Sequence, residues 1–120
     1  MPPHIAQCTI DVTDLDLMTG FWSGALGYTA GPAEEGGTHL FGPPGAPSVF
    51  LQRAATPHSP KNRVHLDLIL DGDVEAEVVR LVGLGARPTD AGQTGTEPFT
   101  VLADPEGNEF CLLHVDPRSR

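Results

Sequence analysis

A chain of 120 residues with 16 acidic and 7 basic side chains has a formal net charge of -9, which suits one domain and excludes a grip on a phosphate backbone. Nucleic acid is therefore no partner, whereas cationic or neutral small molecules are compatible, and the same acidity also serves plain solubility. No stretch reaches the ~20 apolar residues of a membrane span, and Met1-Pro2-Pro3-His4 lacks the basic and apolar regions of a secretion signal, so the expectation is a cytoplasmic protein without membrane contact.

Gln7-Cys8-Thr9-Ile10-Asp11-Val12 alternates as a half-buried strand. Asp14 then offers a carboxylate to the orphan amides of a helix running to Leu26, with Leu15, Met18, Trp22 and Ala25 on one stripe and Phe21 and Leu26 widening it. Gly27 ends that helix. Trp22 is expected in the core, a cofactor-stacking role being the alternative. Short strands follow at 28–31, 39–41 and 48–53, broken at Gly36-Gly37 and Gly42-Pro43-Pro44-Gly45. Residues 54–62, with Pro57 and Pro60, read as a linker.

His65-Leu66-Asp67-Leu68-Ile69-Leu70 then opens a second pass. Asp73 caps a helix whose first turn carries Glu75 and Glu77 and whose apolar face is Val74, Val78, Leu81 and Val82, with Gly85 at its end. Strands are expected at 87–89, 99–103 and 109–115, the last two joined by a hairpin at Asp104-Pro105-Glu106-Gly107-Asn108, and residues 116–120 as a frayed tail.

The two passes superimpose at an offset of 58 residues, which makes Gln7 the counterpart of His65 and divides the chain into modules 5–53 and 63–115 joined by linker 54–62. Alternation puts Cys8 on the helix side with Ile10 and Val12, and Cys111 on the opposite side with Glu109 and Leu113, so two free thiols are expected. Thr9, Asp11, Asp67 and Glu109 face away from the helices, as do Ser48, Phe50 and Gln52, while Val49 and Leu51 face them. Solvation at strand ends competes with a site role for Asp11 and Glu109. Arg53 and Arg63 are either a carboxylate clamp or solvated, and His39, His58 and His114 share no spacing. There is no glycine-rich phosphate loop, Cys-x-x-Cys pair or nucleophile elbow.

The duplicated strand-helix-three-strand unit, the Asp-Leu entry to the first helix, the Gly-Tyr after it, the phrase Lys61-Asn62-Arg63-Val64-His65-Leu66-Asp67-Leu68 and the Asp104-Pro105-Glu106-Gly107-Asn108-Glu109-Phe110 hairpin together resemble the vicinal oxygen chelate superfamily, most nearly its short glyoxalase-like proteins. The resemblance implies an α+β fold of two βαβββ modules forming a curved mixed sheet, helices outside and a concave ligand cavity inside. It implies a ligand set of Gln7, Gln52, His65 and Cys111 for a divalent metal (Zn, Ni, Mn or Fe), with Asp67 able to supply a carboxylate, or no metal. Adding the repeat offset to Gln52 lands on Phe110, one short of Cys111, a slip that a bulge would explain.

Two amides and one thiol compensate a hard cation weakly, and for that reason the first expectation is a binder that sequesters an aromatic or cationic small molecule, as bleomycin-resistance-like members do. Its ligand-binding residues are Gln7, Thr9, Phe50, Gln52, His65, Asp67, Phe99 and Cys111, with Phe110 a further groove candidate. The alternative is a metal-dependent lyase, isomerase or oxygenase in which His65 and Asp67 are catalytic, and a metal-free acid-base enzyme on the same pair is a third. Relatives of this length pair symmetrically, so a homodimer hinged at 54–62 is expected. Light scattering should give twice the 12.7 kDa chain mass at micromolar concentration, and a monomer mass would contradict the pairing.

Overall fold

The computed structural model describes residues 5–54, 64–89 and 95–114; the linker beyond Ala54, with His58 and Lys61, as well as Arg63, Val115 and the tail 116–120, lie outside the described residues. The chain divides into two units, Met1–His58 and Ser59–Arg120. The first contains β1 (Gln7–Val12), α1 (Leu15–Leu26), β2 (Thr29–Ala30), β3 (Gly37–Phe41) and β4 (Ser48–Arg53), and the second β5 (Leu66–Leu68), α2 (Val74–Leu84), β6 (Arg87–Pro88), β7 (Phe99–Ala103) and β8 (Glu109–Leu113). Each is a βαβββ module with a four-stranded mixed sheet, ordered β1-β4-β3-β2 and β5-β8-β7-β6. The α+β class and the duplicated element order match the expectation.

In both sheets the first strand pairs parallel with the last, and the other neighbours are antiparallel. A parallel pair cannot be closed by a tight turn, so the chain crosses over through the helix before the remaining strands return as a meander. In the first module Asp14 accepts from the Leu17 amide at 3.1 Å and starts α1, which ends at Gly27 with φ 68°, a left-handed cap that glycine adopts without a Cβ penalty. Leu15, Met18, Phe21 and Trp22 are buried against β3 and β4, and the Phe21 and Trp22 rings meet edge to face with centroids 5.0 Å apart. Beneath them lie Val12, Leu40, Val49 and Leu51, while Phe50 is half-buried and Gln52 exposed, as period-two alternation requires.

Gly37, expected in a break, is instead the first residue of β3. It pairs with Gln52 at φ 149°, and a Cβ there would overlap the Leu51 carbonyl, so only glycine lets the two strands approach.

In the second module the helix buries fewer side chains. Asp73 accepts from the Glu75 amide at 3.2 Å, but of the expected apolar face Val74, Val78, Leu81 and Val82 only Leu81 is fully buried, and Val82 is exposed. Val82 lies one position, about 100° of helix rotation, beyond Leu81 and falls off the stripe. The expected strand 65–70 forms a ladder only at Leu66–Leu68, leaving Ile69 exposed. The buried apolar residues here are Leu81, Leu102, Phe110 and Leu112, with Ala86, Val101, Ala103 and Cys111 almost as deeply covered.

The β7–β8 hairpin forms as expected. Its fully buried Asp104 carboxylate accepts from the amides of Glu106 (3.0 Å) and Asn108 (2.9 Å) and from Asn108 Nδ2 (2.9 Å), which satisfies a group otherwise costly to bury. No helix among the described residues is long and apolar enough to cross a membrane.

Two substitutions should move stability in opposite directions. Trp22→Ala should lower unfolding free energy by about 3–5 kcal/mol through loss of a buried aromatic. Thr38 is 2 % exposed and its hydroxyl has no partner among the described residues, so Thr38→Val should raise stability by about 1 kcal/mol. Urea titration of both variants checks the pair.

Candidate functional site

The side chains that combine at one place lie on the face of the second sheet opposite Leu102, Phe110 and Leu112, a face on which Val101, Ala103 and Cys111 are themselves buried. The parallel register sets Asp67 directly opposite Cys111, with Val101 as the next residue across. His65 precedes β5 by one residue, and Asp67, two residues on, returns to the same side. The result is a contact of 3.0 Å between His65 Nε2 and an Asp67 carboxylate oxygen, both side chains being 49 % exposed. Imidazole, carboxylate and thiol ligand atoms all lie within 4.8 Å of one another.

Burial pushes the Cys111 thiol above its ordinary range, and the Asp67 charge, a hydrogen bond to Asp67 and the Glu109 charge push it the same way. Cys111 is therefore a protonated donor to Asp67 at neutral pH. Cys8, on the helix side of β1, is also raised by burial, and both cysteines are free thiols. The donor set tests well against a divalent ion of intermediate softness. Zinc takes imidazole, carboxylate and thiolate together, and three protein ligands leave a position open for a substrate, whereas magnesium and calcium would demand an all-oxygen cage.

The first sheet presents a different surface. Phe50 on β4 is flanked by Thr9 on β1 and His39 on β3, forming one row across three strands. The His39 ring lies 4.5 Å from that of Phe50 and stacks on Phe41 at 5.7 Å, with planes 12° apart; Phe41 is 52 % exposed. Gln7 pairs with Ser48 and Gln52 with Asp11, so the two amides sit four residues apart along neighbouring strands, roughly 13 Å, too far to share one ion. The residue of the first sheet in the register position of Cys111 is Phe50, not Gln52, because Thr9 to Phe50 is three residues shorter than Asp67 to Cys111. The slip thus comes from segment length between the strands and not from a bulge.

Other expected residues separate. Phe99 is half-buried on β7 opposite Leu113, on the same side as Cys111, whereas Phe110 is 1 % exposed and belongs to the core with Leu112. Arg53 donates to the carbonyls of Glu35 (3.0 Å) and Glu34 (3.3 Å), pinning a loop instead of clamping a ligand. His114 Nε2 and Thr100 Oγ1 are hydrogen-bonded at 2.9 Å. Sequence reasoning left His39 unassigned; the β3–β4 hairpin is centred between Pro44 and Gly45, which sets His39 opposite Phe50. It also missed an open cleft of about 220 Å³ lined by Arg87, Pro88, Thr89, Ala103, Gly107 and Glu109, which lies along the same side of the second sheet as Cys111.

Solved structures share this fold at low identity. The chain matches FosX from Listeria monocytogenes, an E126Q mutant complexed with Mn(II) and 1S,2S-dihydroxypropylphosphonic acid, at TM-score 0.76 and 13 % identity, covering 98 % of this chain and 94 % of that one. It matches a glyoxalase/bleomycin resistance protein from Albidiferax ferrireducens T118 at TM-score 0.69 and 20 % identity over 93 % and 98 % of the two chains. FosX from Mesorhizobium loti gives TM-score 0.75 and 17 % identity over 100 % and 98 %. No curated protein matches the sequence itself. A family model described as a glyoxalase-like domain matches residues 7–113, nearly the whole chain, and with the duplicated βαβββ fold this places the protein in the glyoxalase-like family of the vicinal oxygen chelate superfamily.

Proposed function

We propose that the protein binds a small molecule with adjacent oxygen atoms at one divalent metal held by His65, Asp67 and Cys111, and acts on it as a lyase, isomerase or oxygenase. The convergence of those three ligand atoms within 4.8 Å carries the proposal. When bound, a divalent ion supplies Lewis-acid polarisation of the substrate oxygens. The chain's own residues set the rest. Asp67 orients the His65 ring through the 3.0 Å contact, Cys111 would give up its proton on holding the ion, and Glu109 lies two residues from Cys111 on the same side.

A second reading, metal-independent sequestration of a planar or cationic molecule, is favoured by one separate observation, the partly exposed rings of His39, Phe41 and Phe50. Its ligand would lie against Thr9 and Phe50. For either reading we keep the homodimer of modules 5–53 and 63–115; two free thiols support a reducing, cytoplasmic setting.

Metal analysis of protein purified without an affinity tag, followed by calorimetric titration with Zn and optical titration with Co, should show one ion per chain with thiolate-to-cobalt absorption. His65→Ala should weaken affinity at least tenfold. Because the Cys111 thiol is raised and must lose its proton to ligate, affinity should keep climbing with pH throughout the neutral and mildly alkaline range, and Cys111→Ser should remove the thiolate band and make that climb shallower. Failure to bind Zn, Ni, Mn or Fe would leave sequestration as the function.

A further inference from the structure

The cleft beside the three ligand atoms carries two opposite charges on one floor. Arg87 on β6 pairs with Ala103 on β7, and Ala103 pairs with Glu109 on β8, so all three project to one side of the sheet, and Glu109 shares that side with Cys111. The arginine and the glutamate rise at either end of a methyl floor, two strand steps or about 10 Å apart at the backbone. Gly107 and Thr89 leave the remaining walls short.

The arginines of the described residues are committed differently. Arg53 is tied to two loop carbonyls and Arg80 is paired with Glu77 at 2.7 Å. Arg87, among the described residues, makes no ion pair or hydrogen bond, and its exposed guanidinium lines the cleft. A guanidinium offers two parallel N–H donors that match a carboxylate, while a glutamate accepts several donors at once.

Charge decides what fits. A simple anion would face Glu109 and the field of a chain carrying -9, and a simple cation would face Arg87. A zwitterion meets both ends favourably. The volume of about 220 Å³ corresponds to roughly seven water molecules at about 30 Å³ each, room for a small head group, and falls below the roughly 300 Å³ at which whole-ligand pockets begin. We propose that this cleft is a subsite for a zwitterionic α-amino acid group, its carboxylate on Arg87 and its ammonium on Glu109. That the same molecule also reaches His65, Asp67 and Cys111 rests on the metal reading above.

The test is amide-resolved NMR titration of the full chain without added metal, using L-alanine, N-acetyl-L-alanine and L-alaninamide as probes. L-Alanine should shift the amides of Arg87, Gly107 and Glu109, with each singly charged probe at least tenfold weaker. Arg87→Ala and Glu109→Gln should each weaken the response to L-alanine at least tenfold while keeping the parent's thermal midpoint; Arg87→Gln replaces the alanine variant if that one unfolds. No shifts, equal binding of N-acetyl-L-alanine, or a response indifferent to Arg87 would overturn the subsite. The two ideas are separated on the parent chain. An Arg87-dependent response in a protein that binds no metal sinks the metal reading and leaves the subsite standing, whereas metal binding with no response to L-alanine sinks the subsite alone.

Discussion

The parallel pairing of the first and last strand in each module is the constraint from which the rest follows. It forces a helical crossover, puts the last strand inside the sheet beside the first, and sets cross-strand partners residue by residue. In the second module that register sets Asp67 against Cys111, and a shift of one residue would trade this pair for core leucines and a phenylalanine. The candidate site is thus a by-product of the same hydrogen bonds that hold the sheet. On the opposite side of β8 stand Phe110 and Leu112, each 1 % exposed.

Two buried or partly buried aspartates show how differently the chain handles a carboxylate. Asp104 is fully buried and takes three donors from its own hairpin, which spends its acceptor capacity on the turn. Asp67 is half exposed and faces an imidazole and a thiol, partners that can themselves gain or lose protons. A structural carboxylate is satisfied by fixed amides. One able to take part in chemistry keeps titratable neighbours and access to solvent.

The modules have diverged in what their open faces carry. One sheet displays an imidazole and two phenylalanine rings in contact, the other an imidazole, a carboxylate, a thiol and the charged cleft. The two modules share element order and pairing pattern, yet the residues in equivalent register differ, Thr9 and Phe50 against Asp67 and the buried Cys111.

The repeat, both helices with their aspartate caps and glycine ends, the β7–β8 hairpin and the helix-facing sides of β1 and β4 were legible in the sequence, because each rests on local periodicity or turn chemistry. His65, Asp67 and Cys111 were likewise readable as sharing a side. Which of the expected ligands stand together was not. That depends on strand register, and register depends on the length of the segments between strands: the first module is three residues shorter between the paired positions, and Phe50 stands opposite Thr9 where Gln52 was the expected counterpart of Cys111. The row of His39, Phe50 and Phe41 and the cleft between Arg87 and Glu109 are cross-strand neighbours far apart in sequence, with no local signal. The exposure of Val82 belongs to the same class, since helical spacing gives a stripe but only packing sets how wide a stripe the sheet covers. Sequence alone determined the elements and the side each residue faces, through short-range periodicity, and only tertiary structure decided which of those residues meet, through pairing between distant strands.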